Sequence, residues 1–143
     1  MRITELFASD ISKILAVYEN NFSDGWKENM LISAFNEGRF LCIGMENEGE
    51  IIGVLTITVG ETEADIEGVV TKKEHLRKGV AKALINYALE KLTAQKKEKV
   101  FLEVREGNLL AINLYQSFGF KPISVRKKYY FDGENALVML KEI

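Results

Sequence analysis

Residues 65 to 105 constrain the fold more than any other part of the chain. They read DIEGVVT, then a basic loop, then a long helical run, then KVFLEVR. A strand that returns to its sheet through a helix lies parallel to its predecessor, with a right-handed crossover. The spacing predicts strands over 65–71 and 99–105. It predicts a helix over about 79–95, with Val80, Leu84, Tyr87, Ala88, Lys91 and Leu92 along one face. Such a unit has a preferred place for a ligand, the crevice at the carboxyl ends of its strands. The stretch EHLRKGVAKALI, residues 74–85, lies there. Arg77 and Lys78 bring positive charge, while Gly79, Ala81 and Ala83 leave backbone N–H groups uncovered. A helix N-terminus with open N–H groups suits a phosphate or pyrophosphate. The alternative is that Gly79 only permits a tight turn and Ala81 only packs near a strand. The patterns GxxxxGK[ST] and GxGxxG are absent, which argues against nucleoside triphosphate and dinucleotide sites.

The other elements follow from the same rules. ITELF (3–7) reads as a short strand, and Ser9 as the cap of a helix carrying Ile11, Ile14, Leu15 and Tyr18. NFSDGW (21–26) breaks the pattern before a helix over about 26–37 with Met30, Leu31, Ala34 and Phe35. RFLCIGM (39–45) and IIGVLTITV (51–59) flank a polar turn and form a hairpin. Gly68 inside the 65–71 strand predicts a bulge or a close backbone approach. NLLAINLYQSF (108–118) is a helix with Asn108 as N-cap and Gly119 just past its end. Within it Leu110, Ala111, Leu114, Tyr115 and Phe118 form an apolar stripe. ISVRKKYYF (123–131) and NALVMLKEI (135–143) read as a closing hairpin around DGEN. The order β-α-α-β-β-β-α-β-α-β-β describes an α/β (α+β) fold. Its central sheet is mixed and mostly antiparallel, with about seven strands, one parallel βαβ unit and about four helices.

With 143 residues, 1–143 is expected to form one domain, large enough to bury about 68–70% of its unfolded surface. Nineteen basic and twenty-one acidic residues leave no basic excess, so neither nucleic acid nor a membrane is an expected partner. The basic cluster QKKEK (95–99) reads as a solvated helix end. The single cysteine, Cys42, has no internal disulfide partner, and no Cys/His cluster has metal-ligand spacing. No apolar run reaches the ~20 residues of a membrane span, and MRITELF lacks the apolar core of a signal peptide. These features lead us to expect a cytoplasmic protein without a metal.

The motifs are more specific than the composition. Leu76-Arg77-Lys78-Gly79-Val80-Ala81 resembles the pattern Q/R-x-x-G-x-G/A of the GNAT family of N-acetyltransferases, with Leu76 where that family has Gln or Arg. Downstream, LEVREGNLLAINLYQSFGF, VRKKYY and ENALVM are similar to the bacterial ribosomal-protein-alanine N-acetyltransferases. That group runs L-E-V-R, then Asn, L-Y-x-x-x-G-F, R-x-x-Y-Y and D-A-x-x-M; here Asn135 stands in place of the acidic residue. Phe22 and Trp26 lie before the second helix, as aromatic residues do in that group. Where the group reads N-I-A-V, this chain has Gly68-Val69-Val70-Thr71.

The resemblance implies a GNAT-like fold with acetyl-CoA as co-substrate and no metal. It implies that the backbone of Val69, Val70 and Thr71 holds the pantetheine arm. It implies that Arg77, Lys78, Gly79, Val80, Ala81 and Lys82 hold the pyrophosphate, and that Asn108 also touches the coenzyme. An amine attacks a thioester only when neutral, so a general base helps, and a general acid should meet the departing thiolate. The resemblance maps the base onto Glu103 and the acid onto Tyr115. From the residues alone, Glu103 reads more simply as a cross-strand ion-pair member and Tyr115 as a core aromatic. Glu67, on the parallel strand, is a rival base; Tyr129 and Tyr130 are candidates to line the acceptor groove, or else strand aromatics. Cys42 reads as a buried structural thiol, and a catalytic pair with His75, the only histidine, would need the two to meet. The implied activity is acetyl transfer to an amine, first of all the N-terminal α-amine of a protein such as a ribosomal protein. A small-molecule amine (a polyamine, amino acid or aminoglycoside) and a non-catalytic acyl-CoA-binding module are the alternatives. Both a monomer and a homodimer are compatible with the sequence.

Overall fold

The structure, a computed structural model, describes residues 1–19 and 25–143. Phe22 and most of the break at 21–26 lie outside the described residues. The elements are β1 (Arg2–Leu6), α1 (Ile11–Tyr18), α2 (Glu28–Glu37), β2 (Phe40–Asn47), β3 (Glu50–Val59), β4 (Glu63–Thr71), α3 (Val80–Ala94), β5 (Lys99–Arg105), α4 (Leu109–Ser117), β6 (Lys121–Arg126) and β7 (Ala136–Glu142). The strands form one sheet in the order β1-β2-β3-β4-β5-β7-β6. Every neighbouring pair is antiparallel except β4–β5, which is parallel as the βαβ reading requires.

Two apolar layers sandwich the sheet. On one face Val80, Leu84, Ile85, Ala88, Leu89 and Leu92 of α3 are buried against Ile57, Ile66, Val100, Leu102 and Val104. Full burial of such side chains stabilises by about 1.5–3 kcal/mol each. Ile85 and Leu89 take the places expected of Tyr87, which is exposed, and Lys91, whose Nζ reaches Glu5 Oε1 at 3.1 Å. Tyr87 and Lys91 therefore stand at the margin of the buried stripe. On α4, Ile112 is buried while Leu110, expected in the stripe, is 84% exposed. On the other face α1 and α2 bury Ile14, Val17, Tyr18 and Leu31 against Cys42, Val54 and Val70. α1 rests on β3 and β4 and α2 on β2, so the β5–β7–β6 half of that face lies beyond them.

Several boundaries differ from expectation for local reasons. A 3-10 turn, Ala8–Asp10, precedes α1 and is closed by Asp10, whose Oδ2 accepts from Phe7 N at 2.9 Å; α1 itself starts without a side-chain cap, so Ser9 does not cap it. α2 begins at Glu28, because Trp26 is held back by a hydrogen bond from its Nε1 to the buried Thr56 Oγ1 at 3.1 Å. β6 ends at Arg126 and β7 starts at Ala136, so Tyr129 and Tyr130 lie in a broad connection and not in a strand. Side chains there take over hydrogen bonds that a tight hairpin would have made. Asn135 Oδ1 accepts from Lys128 N at 3.0 Å, and Glu134 Oε2 accepts from Gly107 N at 2.9 Å. Arg105 Nη1 meets Asp132 Oδ2 at 2.9 Å and Glu134 Oε1 at 2.8 Å. The Arg105 guanidinium also stacks over the Tyr130 ring at 4.1 Å. Asn108 does cap α4, its Oδ1 accepting from Ala111 N at 3.2 Å, and Gly119 follows with φ 94°.

Candidate active site

Register makes the site. β4 and β5 pair only from Glu63↔Lys99 to Ile66↔Leu102. Beyond that point the strands part, so residues 67–71 have no β5 partner for their outward backbone groups. The cause is a bulge against β3: Thr56 pairs with Gly68 but Ile57 pairs with Ile66, leaving Glu67 as the extra residue. The bulge also breaks the alternation of side chains. Ala64 and Ile66 face α3, while Val70 faces α1. Asp65, Glu67 and Gly68 consequently share the α1 side of the sheet. Gly68 lies at the bulge, as expected, and a Cβ there would sit 3.0 Å from the Tyr18 hydroxyl oxygen.

On that side, where α1 and α2 leave the sheet uncovered, there is a cavity of about 920 Å³. Asp65, Glu67, Phe101 and Glu103 form its floor, Trp26 and Met30 one wall, and Arg126 with Tyr129 to Phe131 the other. Glu103 Oε1 lies 3.4 Å from Arg126 Nε. Oε2 of the same carboxylate is buried and has no hydrogen-bond partner. The ion-pair alternative thus accounts for one oxygen and leaves the other. Glu103 beside the Tyr129 hydroxyl, ahead of burial, raises the phenol's pKa above its ordinary value, but the hydroxyl does not meet hydrogen-bond geometry with Oε2. Glu67 is also raised, first by burial and then by Asp65 and Glu103, with Thr58 opposing. Asp65 is raised by burial, then by Glu103 and Glu63. Three carboxylates, Asp65, Glu67 and Glu103, against two cations, Arg126 and Lys27, leave the cavity one negative charge in excess. Among the described residues no group of three acidic, histidine or cysteine side chains is arranged to hold a metal ion.

Tyr115 is not part of that lining. It is on the α3 and α4 side, with its ring edge-on to Phe120 at 6.0 Å, and burial pushes its pKa up to about 12. Tyr115 packs with the α3-side core and Tyr18 with the α1-side core, so the two phenols lie on opposite faces of the sheet. Glu103 and Tyr115 therefore lie on opposite faces of the sheet.

After β4 and a 3-10 turn, Lys73–His75, Gly79 takes φ 79° and ψ 14° and opens α3 without a side-chain cap. The first amide of this turn bonded within the helix is that of Ala83, to Gly79 O at 3.0 Å. The N–H groups of Val80, Ala81 and Lys82 are the helix's own unpaired donors. Arg77 also has positive φ, 64°, a sparsely populated conformation for a side-chain-bearing residue. Arg77 and Lys78 are exposed, and Lys78 Nζ lies 3.2 Å from His75 Nδ1. Val70 and Val80 bury their side chains, leaving only their backbones to a ligand. Cys42 is fully buried, its pKa pushed up to about 12 first by burial and then by Asp10 and Glu5. It does not meet His75, which is placed with Lys78 beside α3.

A parallel pair splayed by a bulge, next to a helix N-terminus, offers unpaired backbone groups to a ligand. The Acetyltransferase (GNAT) family matches residues 8–120. The chain belongs to that family. This GNAT chain is an acetyl-transferring enzyme, of a family that uses acetyl-CoA. It is 28% identical over 141 residues to the [ribosomal protein bS18]-alanine N-acetyltransferase of Escherichia coli K12, covering 96% of this chain and 94% of that one. It is 26% identical over 151 residues to an N-alpha-acetyltransferase of Sulfurisphaera tokodaii, covering 96% and 90%. The crystal structure of the Escherichia coli ribosomal-protein-S18-alanine N-acetyltransferase superposes with a TM-score of 0.93 at 27% identity, over 99% of this chain and 93% of the other.

The cavity of this GNAT chain also takes in Asp65 and Arg126, to which sequence reasoning gave no role. Asp65 was within reach, because it alternates with Glu67 on the strand parallel to Glu103. Arg126 stands in the R-x-x-Y-Y motif, but only the fold brings β6 beside Glu103.

Proposed function

We propose that residues 1–143 act as a single N-acetyltransferase domain that moves the acetyl group of acetyl-CoA to the N-terminal α-amine of a protein. One observation carries this reading: a buried carboxylate oxygen, Glu103 Oε2, without a donor, in an acidic cavity where the strands open. A buried acceptor left unmade is costly, and an incoming amine supplies the missing donor. The names of the relatives, which act on N-terminal amines, support the same acceptor.

The residues then divide the work. The unpaired N–H groups of Val80, Ala81 and Lys82, with Gly79 bare and Arg77 and Lys78 adding charge, suit the pyrophosphate. The unpaired edge of Val69, Val70 and Thr71 suits the pantetheine arm, and Asn108 caps α4 beside it. Glu103 takes the amine's proton, directly or through water, as the new C–N bond forms. Tyr115 donates to the sulfur as the C–S bond breaks. A cysteine-like thiol has a pKa near 8.5, so full transfer from a phenol near 12 runs uphill by about 3.5 units. Tyr115 thus acts chiefly as a hydrogen-bond donor that eases departure.

An α-amine has a pKa of about 7.7–8.0, some 2.5 units below a lysine, so one carboxylate is enough help near neutral pH. A peptide beginning with alanine should be acetylated at its N-terminus, and the same peptide with a blocked N-terminus and an internal lysine should not. Mass spectrometry locates the group. Glu103→Gln should lower the rate at pH 7 by about 10²–10⁴ and regain part of it above pH 8, where the amine is already neutral. Preference for spermidine over every peptide would replace the acceptor with a small amine. An unaltered pH–rate profile in Glu103→Gln would move the base to Glu67 or to solvent.

A further inference from the structure

Tyr18, the last residue of α1, is 92% buried by its exposure of 8%, yet its hydroxyl has no hydrogen-bond partner. Thr56 is beside it, but Thr56 Oγ1 accepts from Trp26 Nε1 at 3.1 Å and does not meet hydrogen-bond geometry with the phenol. A buried O–H without an acceptor is a penalty that phenylalanine would avoid. This chain accommodates it further by leaving position 68 bare: a Cβ there would press on the hydroxyl oxygen at 3.0 Å. The hydroxyl therefore faces the bulge, at the point where β4 stops pairing with β5. Burial, with smaller contributions from Cys42 and Tyr115 and opposition from Thr56, holds the phenol's pKa far above its ordinary value. At any working pH the group is a donor.

We infer that the Tyr18 hydroxyl donates a hydrogen bond to the acetyl carbonyl oxygen of the bound acyl donor, alongside the unpaired backbone N–H groups of β4; this rests on the acetyl transfer proposed above. The carbonyl oxygen is the substrate atom that lacks a partner there. Glu103 receives the amine's proton and Tyr115 serves the sulfur, while the oxygen gains negative charge as the nitrogen adds to the carbon. The electron pair returns when the C–S bond breaks, and Tyr18 keeps its proton throughout. A donor waiting in place for that charge needs no reorganisation.

Tyr18→Phe separates this role from a structural one. Its apo Tm should equal or exceed that of the wild type, because the variant loses an unpaired buried hydroxyl. The infrared band of carbonyl-labelled acetyl-CoA bound to the variant, with no acceptor present, should move towards the frequency of the free thioester. Turnover should fall by about 10²-fold, the worth of one such donor, with little change in peptide KM. An unshifted band in the folded variant overturns the inference, and so does a raised peptide KM with the band unmoved. A fall in Tm by many degrees assigns the hydroxyl to the fold instead. If Tyr18→Phe does not fold, Gly68→Ala, which crowds the same oxygen, should produce the band shift. Failure of the wild type to acetylate any peptide would remove the acceptor proposal, yet the band comparison would still decide on Tyr18.

Discussion

Gly79 allows the cost of a conformation to be separated from the cost of an obstruction. Its φ of 79° is left-handed, and nothing lies within 4 Å of where a Cβ would be. A side chain there meets no protein atom, so the folded state loses only the backbone term, about 1–2 kcal/mol for alanine. For a chain of this length that lowers Tm by about 3–8 °C. Valine, branched at Cβ, should lose more, while asparagine tolerates this conformation and should lose least. Ligand binding should rank differently. All three side chains stand in the open space before the N–H groups of Val80 to Lys82. Loss of one charge-assisted hydrogen bond, worth about 1.5–3 kcal/mol, weakens affinity about 10- to 150-fold. Thermal unfolding and calorimetric titration with acetyl-CoA, run on Gly79→Ala, Gly79→Asn and Gly79→Val, give both quantities. The decisive variant is asparagine, which should keep most of the stability and still lose affinity. Wild-type affinity in a folded Gly79→Val would show that no anion is held at this turn.

Two other residues can be tested the same way. Tyr115→Phe retains the ring against Phe120 and should leave acetyl-CoA affinity unchanged, while turnover falls by about 10²-fold, the low end for an acid that donates without full transfer; turnover within a few-fold of wild type would leave Tyr115 as core alone. Glu67 has its pKa raised in the fold, so its ionised form is disfavoured there and the associated stability, present at low pH, is lost as pH rises from the unfolded towards the folded value. Glu67→Gln should therefore raise Tm at pH 7, and the gain should vanish below about pH 4, where both states of the wild type are protonated; a lower Tm at pH 7 would contradict the assignment.

Local signals made most of the fold legible in the sequence. Gly79 and Asn108 mark the starts of α3 and α4 because each acts on its own backbone, and the parallel β4–β5 pair follows from one crossover. Periodicity failed where a helix meets two surfaces at once. Ile85 and Leu89, not Tyr87 and Lys91, complete the buried face of α3, since the helix lies across several strands and presents a wider stripe than one contact line. Residues 127–131 read as strand because their tyrosines carry strand propensity, but β6 ends at Arg126 and Arg105, from another element, holds Asp132 and Glu134 outside the ladder. Of the candidate site, the carboxylate at 103 and the turn at 79 could be named from motifs. The acidic floor could not, because a net charge of −2 averages it away. The Tyr18–Thr56–Gly68 contact joins three elements that no local pattern links.

The bulge at Glu67 explains why these features coincide. An uninterrupted β4 would continue pairing with β5 past Ile66 and Leu102 and leave no gap for an acyl chain. It would also keep strict alternation, so that Gly68 would face α3 and its bare Cα could not receive the Tyr18 hydroxyl. One inserted residue ends the pairing, places Glu67 beside Glu103 and turns Gly68 towards α1. Sheets lose ladder hydrogen bonds at such points, and here the backbone groups released, the unpaired Glu103 oxygen and the unpaired Tyr18 hydroxyl all lie around the same opening. Local consistency is broken several times within a few residues, while the flanking parts of β3, β4 and β5 keep regular register and buried apolar faces. That concentration is expected of a site built for a ligand, where the missing partners arrive with the substrate. It also connects the tests: restoring regular pairing by deleting Glu67 should close the gap, and with it abolish acetyl-CoA binding, even in a protein that still folds.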